Sequence, residues 1–209
     1  MQLVKTIFLV RHATTEYNQT DLLQGRMNNP LNETGKKEAL ALANELKNKK
    51  IDMIYHSPLE RTRQTAEIIN QFHNAPYAKV ESFVEVDLGD WEGLKYSEVI
   101  ENNSEFHQEW LSSVSVAIPG GESFSQVYTR TKPGIDQILA DNHSQILIVG
   151  HATVNRAILA HLLNMNPEAA RLFRMRNCAL SKLMVYQKDD GFHIVVDFWN
   201  HVCFLKNGQ

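Results

Sequence analysis

The stretch Lys5-Thr6-Ile7-Phe8-Leu9-Val10-Arg11-His12 decides the fold. Its apolar run from Thr6 to Val10 is rich in β-favouring residues and predicts a buried strand. Two polar residues, Arg11 and His12, then mark the end of the strand. Ligands of an open α/β sheet bind just outside the carboxyl ends of its strands. The sequence therefore predicts a guanidinium and an imidazole where a ligand would lie.

Strands and helices alternate along the rest of the chain. Strands are predicted at 5–10, 51–56, 79–86, 145–150, 181–186 and 192–200, with Asp189-Asp190-Gly191 as the hairpin turn before the last of them. Helices are predicted at 34–49, 59–73, 96–111, 123–140 and 154–163, the fourth interrupted at Pro133-Gly134 and the second capped by Ser57. This order predicts a three-layer α/β/α fold whose sheet is mostly parallel, with helices on both faces. We expect one domain over 1–209, with a small helical insertion at 94–122 that covers the site.

The composition excludes several classes of protein. The chain has 209 residues, 43% hydrophobic, with a net charge of −3, so it lacks the basic excess of a nucleic-acid-binding protein. No window approaches the apolar length of a membrane span, and Lys5 and Arg11 leave no room for the apolar core of a signal peptide. The two cysteines, Cys178 and Cys203, have no metal-ligand spacing. We therefore expect a cytoplasmic protein with no nucleic-acid or membrane partner.

Two further strand ends carry groups of the same kind as Arg11 and His12. His151 follows the strand at 145–150, and Arg61 lies in the first turn of the helix that follows the strand at 51–56. Together they would form a pocket with two fixed positive charges and two imidazoles, which fits a dianionic phosphoryl group. One Arg-His pair alone has little specificity, because most histidines at strand ends have structural roles. The joint occurrence of these residues in this chain order favours the phosphoryl site.

The whole set of motifs resembles that of the histidine phosphatase superfamily, also called the phosphoglycerate mutase-like family. The first motif, Leu9 to Asn18, is similar to the family signature around its catalytic Arg-His pair. The others are Leu23-Gln24-Gly25-Arg26 with Pro30 to Gly35, Ser57 to Ala66, Phe83 to Gly93, Pro119-Gly120-Gly121-Glu122-Ser123 and Val149-Gly150-His151-Ala152. The match covers nearly the whole chain and favours the phosphatase branch. Alanine stands at positions 13 and 152, where the family commonly has glycine.

The resemblance implies a role for each matching residue. His12 would be the nucleophile that becomes phosphohistidine, with Glu85 as the proton donor to the leaving oxygen. The phosphoryl oxygens would be held by Arg11, Arg61 and His151. Further substrate contacts are expected from Asn18, Gln24, Gly25, Ala152 and Thr153. The family chemistry implies no cofactor and no metal, a small phosphorylated substrate and inorganic phosphate as product.

Three interpretations of the function remain open at this point. The first is a phosphomonoesterase, the second is a cofactor-dependent phosphoglycerate mutase, and the third is a phosphate-binding regulatory module without turnover. Asp87, Asp90 and Glu92 are weaker candidates for the acid, since a solvated or capping role suits them better. Mutases of the family that this chain resembles tend to be longer after the acid block, so the short segment between Gly93 and Pro119 favours hydrolysis, because the site is then less shielded from water. The sequence specifies neither the substrate nor the oligomeric state.

Overall fold

A computed structural model describes residues 1–189 and 191–205 of the chain. The strands are β1 (Gln2–Arg11), β2 (Met53–His56), β3 (Tyr77–Lys79), β4 (Gln145–Gly150), β5 (Leu180–Lys188) and β6 (Gly191–His201). The helices are α1 (Glu16–Gln19), α2 (Glu33–Leu46), α3 (Glu60–Asn70), α4 (Tyr96–Asn102), α5 (Ser104–Ser112), α6 (Phe124–Ala140), α7 (Ala152–Leu163) and α8 (Pro167–Ala170). Short 3₁₀ turns occupy Glu81–Phe83 and Gly89–Trp91.

The six strands form one sheet in the order β3-β2-β4-β1-β5-β6. The first four strands in this order run parallel to one another, whereas β5 is antiparallel to β1 and β6 is antiparallel to β5. The predicted α/β class is thus confirmed, with a parallel half and an antiparallel half in the same sheet. The parallel half has the carboxyl ends of β1, β2 and β4 at one edge, where open sheets of this kind bind ligands.

Side chains of β1 alternate between two apolar layers, because successive residues of a strand point to opposite faces. Ile7 and Leu9 are fully buried in the layer that α6 and α7 complete. Phe8 and Val10 are buried in the layer that α2 and α3 complete, where they meet residues such as Leu42. Both faces of the strand are therefore covered, which explains why its sequence is continuously apolar rather than alternating.

The structure corrects several predictions about individual elements. The strand predicted at 79–86 is absent beyond Lys79, because β3 covers only Tyr77–Lys79 and the chain then turns at Glu81–Phe83. The predicted break at Pro133 does not occur, because α6 runs unbroken from Phe124 to Ala140. Gly134 in this helix is buried, and a Cβ there would lie 2.8 Å from Phe83 Cε1, so its glycine permits close packing rather than a turn. The predicted hairpin turn includes Asp190, which lies outside the described residues.

The predicted insertion at 94–122 contains two short helices, α4 and α5, in place of the single helix predicted at 96–111. Trp91 packs edge-on against Trp110 of α5, and their ring centroids are 5.4 Å apart. That this segment closes over a ligand stays a prediction. In the part of the chain that the structure describes, every helix is too short or too polar to traverse a lipid bilayer.

Candidate active site

The register of the sheet places the two strand-end histidines next to each other. Arg11 pairs with Gly150 across β1 and β4, so the residues that follow them, His12 and His151, come side by side. The His12 backbone N–H donates to the Gly150 carbonyl at 2.9 Å. The two imidazole centroids are 5.2 Å apart, and both rings are buried. The juxtaposition expected from the sequence is therefore present.

The imidazole of His12 is held in one tautomer by the backbone of the next residue. Its Nδ1 lies 2.8 Å from the carbonyl oxygen of Ala13. A carbonyl oxygen can only accept, so Nδ1 carries the proton and Nε2 carries the free electron pair. The Ala13 amide is itself fixed, since it donates to Thr65 Oγ1 at 3.1 Å. This arrangement presents Nε2 as the nucleophilic atom of the ring.

The ring of His151 is fixed by a hydrogen bond to a side chain. Its Nε2 lies 2.7 Å from the hydroxyl of Ser57, the residue that follows β2. The expected helix cap at Ser57 is wrong, because α3 begins at Glu60 after Leu59 and has no side-chain cap. The His151 Nδ1 is buried and has no partner among the described residues. One ring nitrogen of His151 is thus anchored, and the other is free for a ligand.

Two guanidinium groups flank the histidines, each anchored by carbonyl oxygens. Arg61 donates from Nη1 to Met27 at 2.6 Å and from Nη2 to Gly25 at 2.8 Å. Arg11 donates from Nη1 to Met175 at 2.8 Å. The Nε–H of each arginine is buried and has no acceptor within residues 1–189 and 191–205. Buried donors of a native protein are normally paired, so these two point to an anionic ligand between them.

Glu85 reaches the same cavity from the irregular segment between the two 3₁₀ turns. Its carboxylate accepts from the Val86 N–H at 2.9 Å and from the Thr153 N–H at 3.3 Å. Thr153 is in the first turn of α7, directly after His151 and Ala152. The Glu85 carboxylate therefore lies near the N-terminus of α7, which His151 directly precedes.

A cavity of about 270 Å³ brings most of the predicted residues together. Its wall includes Arg11, His12, Asn18, Gln24, Gly25, Arg61, Glu85 and Thr153, together with apolar side chains such as Leu23, Val86 and Trp110. His151 and Ala152 are not part of this wall, although the His151 ring lies next to that of His12, which is. A larger cavity of about 960 Å³ also borders Arg11 and Asn18, but His12, Arg61 and Glu85 do not line it. The smaller cavity is therefore the candidate active site.

The rim residues are held in place by specific polar contacts. The Gln24 amide oxygen accepts from Thr15 Oγ1 at 2.9 Å. Gly25 has a φ of +48°, and a Cβ there would lie 2.1 Å from Glu92 Oε1, so this position requires glycine. Asn18 Oδ1 accepts from the Thr15 backbone N–H at 3.1 Å. In contrast, the alanines at positions 13 and 152 have backbones outside the left-handed region, so alanine is accommodated there.

Burial and positive charge both act against protonation of the two imidazoles. Burial, followed by the charges of Arg61 and Arg11, lowers the pKa of His12 well below its ordinary value of 6.5. Burial, followed by Arg61 and His12, lowers the pKa of His151 in the same way. Burial is the largest cause of the lowered pKa in both rings. Burial also lowers the pKa of each of the two arginines to about 10, so both remain cationic at pH 7.

These shifts predict that the protein is less stable at mildly acidic pH. An unfolded histidine has a pKa near 6.5, so below that pH the unfolded chain binds protons that folded His12 and His151 do not. The free energy of unfolding should therefore fall as the pH is lowered from 7.5 to 5, a range above the titration of most carboxylates. Urea unfolding at both pH values measures the effect.

A His12→Asn, His151→Asn double variant should show a smaller pH dependence than the wild type. Part of the change in unfolding free energy with pH should remain, since burial also lowers the pKa of His56, His73 and His161. An equal slope in the double variant and the wild type would contradict the assignment of the effect to the two site histidines.

Several residues that support the site were not identified from the sequence. The Asn177 amide donates to the His12 carbonyl at 3.2 Å and to Asn18 Oδ1 at 3.0 Å. Glu38 accepts from the Thr14 backbone N–H at 2.8 Å, which fixes the loop after β1. Asn177 lies outside every motif, and Glu38 resembles any charged residue of a surface helix. Ser57, which binds His151, does lie within one of the motifs quoted above. Its position before Pro58 suggested a helix cap rather than a contact with His151.

Comparison with known proteins places the chain in a family. The model of the histidine phosphatase superfamily (branch 1) matches residues 7–199. Phosphoserine phosphatase 1 of Hydrogenobacter thermophilus is 34% identical over 184 residues, which is 87% of each chain. A probable phosphoglycerate mutase of Proteus mirabilis is 32% identical and covers 85% of this chain and 83% of its own.

A solved structure with the same fold supports the assignment. The α-ribazole phosphatase of Shigella flexneri superposes with a TM-score of 0.81 at 25% identity, over 94% of this chain and 96% of its own. Within the described part of the chain, no group of three or more His, Cys, Asp or Glu side chains is placed to bind a metal ion. From the family match and these relatives we conclude that the chain is an enzyme of the histidine phosphatase superfamily, branch 1.

Proposed function

We propose that the protein is a phosphomonoesterase that works through a phosphohistidine on His12 and uses Glu85 as the proton donor. The observation that carries the proposal is a set of buried nitrogens, from the two arginines and His151, that have no hydrogen-bond partner among the described residues. These are the Nε–H groups of Arg11 and Arg61 and the Nδ1 of His151. Two fixed cations and an imidazole suit a phosphoryl group, whose charge is spread over three oxygens in the transition state.

In the first step the phosphoryl group moves to the enzyme. The Nε2 electron pair of His12 forms a bond to phosphorus while the bond from phosphorus to the ester oxygen breaks. That oxygen takes the proton held by the Glu85 carboxyl group and leaves as an alcohol. Arg11 and Arg61 stabilise the charge on the phosphoryl oxygens. A phosphate dianion beside His151 favours its protonated form, so this ring adds a third positive group when substrate is bound.

In the second step a water molecule attacks phosphorus, and the bond to His12 Nε2 breaks. Glu85, now a carboxylate, takes a proton from the water. Inorganic phosphate is released, and both His12 and Glu85 return to their starting states. The Ala13 carbonyl keeps the His12 ring in the same tautomer throughout, because Nδ1 remains its donor in every state.

The leaving group of the substrate would lie against the remaining wall of the cavity. Leu22, Leu23 and Trp110 give this wall an apolar part, whereas Tyr17 and Asp21 supply polar groups at the rim. A volume of about 270 Å³ suits a small phosphorylated metabolite. O-phosphoserine is the first substrate to test, since a relative with 34% identity is named a phosphoserine phosphatase.

A metabolite panel tests this proposal directly. The purified protein is incubated with p-nitrophenyl phosphate, with O-phosphoserine, and with 3-phosphoglycerate in the presence and absence of 2,3-bisphosphoglycerate. Free phosphate and the phosphoglycerate isomers are both measured. Free phosphate supports the phosphomonoesterase. Isomer without phosphate indicates the mutase, and no product together with retained phosphate binding indicates the regulatory module.

A further inference from the structure

The segment that carries Glu85 lacks the support of regular secondary structure. It follows the 3₁₀ turn at Glu81–Phe83 and precedes the turn at Gly89–Trp91. The carbonyl oxygens of Ser82, Val84 and Glu85 accept from arginine side chains instead of from a neighbouring strand. The position of the Glu85 backbone is therefore set by side chains from elsewhere in the fold.

Arg130 of α6 supplies most of these bonds. Its Nη1 donates to the Ser82 carbonyl at 2.6 Å, and its Nη2 donates to the carbonyls of Val84 at 2.7 Å and Glu85 at 3.0 Å. Its Nε donates to Glu122 Oε1 at 3.0 Å. The planar guanidinium thus binds three carbonyls of one short segment, which a flexible ammonium group cannot do in a fixed geometry.

The carboxylate of Glu122 holds the Arg130 guanidinium in place. Its Oε2 lies 3.1 Å from Arg130 Nη2, and its Oε1 is 2.9 Å from Arg26 Nη2. The Glu122 backbone N–H donates to the Asp87 carbonyl at 2.9 Å, which ties it to the same segment two residues after Glu85. Burial alone would raise the pKa of Glu122, but the bond and charge of Arg130, with Arg26, lower it. Glu122 is therefore ionised at pH 7.

Gly134 brings α6 close enough for these bonds. It lies four residues after Arg130 and so on the same face of the helix. A Cβ at this position would lie 2.8 Å from both Phe83 Cε1 and Ser82 Oγ. The backbone of α6 thus contacts the segment before Glu85 at Gly134. One turn earlier in the helix, the side chain of Arg130 binds the same segment.

We propose that Arg130 is a positioning residue that holds the backbone of Glu85 so that its carboxyl group meets the leaving oxygen. The guanidinium of Arg130 does not line the cavity, and its donors bind Glu122 and the carbonyls of the segment around Glu85, so it acts through Glu85 and not on the substrate. This inference depends on the proposed function, in which Glu85 donates the proton. Displacement of a catalytic group by about 1 Å is enough to lower a rate about 100-fold.

The experiment compares two substrates that differ in their need for an acid. Expulsion of an alkoxide, as from O-phosphoserine or β-glycerol phosphate, requires a proton, whereas p-nitrophenolate leaves without one. In Arg130→Lys and Arg130→Met, kcat/KM for the alkyl ester should fall about 100-fold and that for p-nitrophenyl phosphate less than about threefold. The parameter kcat/KM is used because it reports phosphoryl transfer rather than the later hydrolysis.

Matched variants separate positioning from a general loss of structure. Lys132→Met is the control on the same helix, since Lys132 is exposed and pairs with Asp136. This variant should leave kcat/KM unchanged for both substrates. Glu85→Gln should reproduce the selective loss, and Arg130→Lys should add little in that background. If Arg130→Met does not fold, Arg130→Lys alone is used. Thermal unfolding checks that the variant is folded.

Equal losses on both substrates, or losses that add to those of Glu85→Gln, would overturn the role of Arg130. Failure of the proposed function gives a different result: the wild type hydrolyses neither ester, or His12→Ala retains activity. If the wild type is active and depends on His12 while the Arg130 variants lose both activities equally, only the positioning role is wrong.

Discussion

Replacement of His12 by alanine should lower kcat/KM by about 10⁶-fold, the scale seen when the nucleophile of a covalent mechanism is removed. The expected loss is large because Nε2, the atom that the Ala13 hydrogen bond leaves free, is the atom that forms the bond to phosphorus in the proposed mechanism. The measurement is phosphate release from p-nitrophenyl phosphate and O-phosphoserine. An alkaline denaturing quench during turnover, followed by intact-mass analysis, should show one phosphoryl adduct in the wild type and none in the variant.

His56 offers a closely matched control for this substitution. It is buried at the end of β2, and its Nδ1 lies 2.7 Å from the Ser57 carbonyl, just as His12 bonds to the residue that follows it. His56 does not line the cavity. His56→Asn should therefore cost stability but leave kcat/KM of the folded protein within about threefold, a small effect typical of sites away from the chemistry. Survival of a tenth of the activity in His12→Ala would remove that residue from the mechanism.

Replacement of Arg61 by lysine should lower kcat/KM about 10³-fold, the upper range for removal of one preorganised donor of the transition state. The guanidinium bonds to the carbonyls of Gly25 and Met27, and its buried Nε–H has no acceptor among the described residues. A lysine ammonium has the charge but cannot span both carbonyls and a phosphoryl oxygen together. Steady-state kinetics and the inhibition constant of inorganic phosphate measure the loss.

Arg63 provides the comparison for Arg61. It lies two residues later on α3 and pairs with Glu60 and Glu67 at the partly exposed surface. Arg63→Lys should change kcat/KM less than about twofold, since surface ion pairs of this kind contribute little. Similar losses in the two variants would show that the effect comes from the helix and not from the phosphoryl site.

The sequence predicted the parallel core of the fold because its signals are local. The run Ile7 to Val10 is apolar at every position, and the structure buries both of its faces. The predicted strand at 79–86 failed for a non-local reason. Its three valines and Phe83 favour a strand, but the carbonyls of Ser82 and Val84 bind Arg130 rather than a neighbouring strand. Likewise, α6 is continuous through Pro133 and Gly134, and Gly134 lies in close contact with Phe83 from a distant part of the chain.

The sequence by itself determined which reactive side chains stand at the strand ends, because strand termini and short motifs are encoded by neighbouring residues. His12, Arg61 and His151 were all found in this way. Only the tertiary structure decided which atom of each side chain is free. For His151 and Arg61 that depends on partners far along the chain, which are Ser57 for His151 and the carbonyls of Gly25 and Met27 for Arg61. Local periodicity reports how one element is buried, whereas polar contacts between elements follow from how those elements pack.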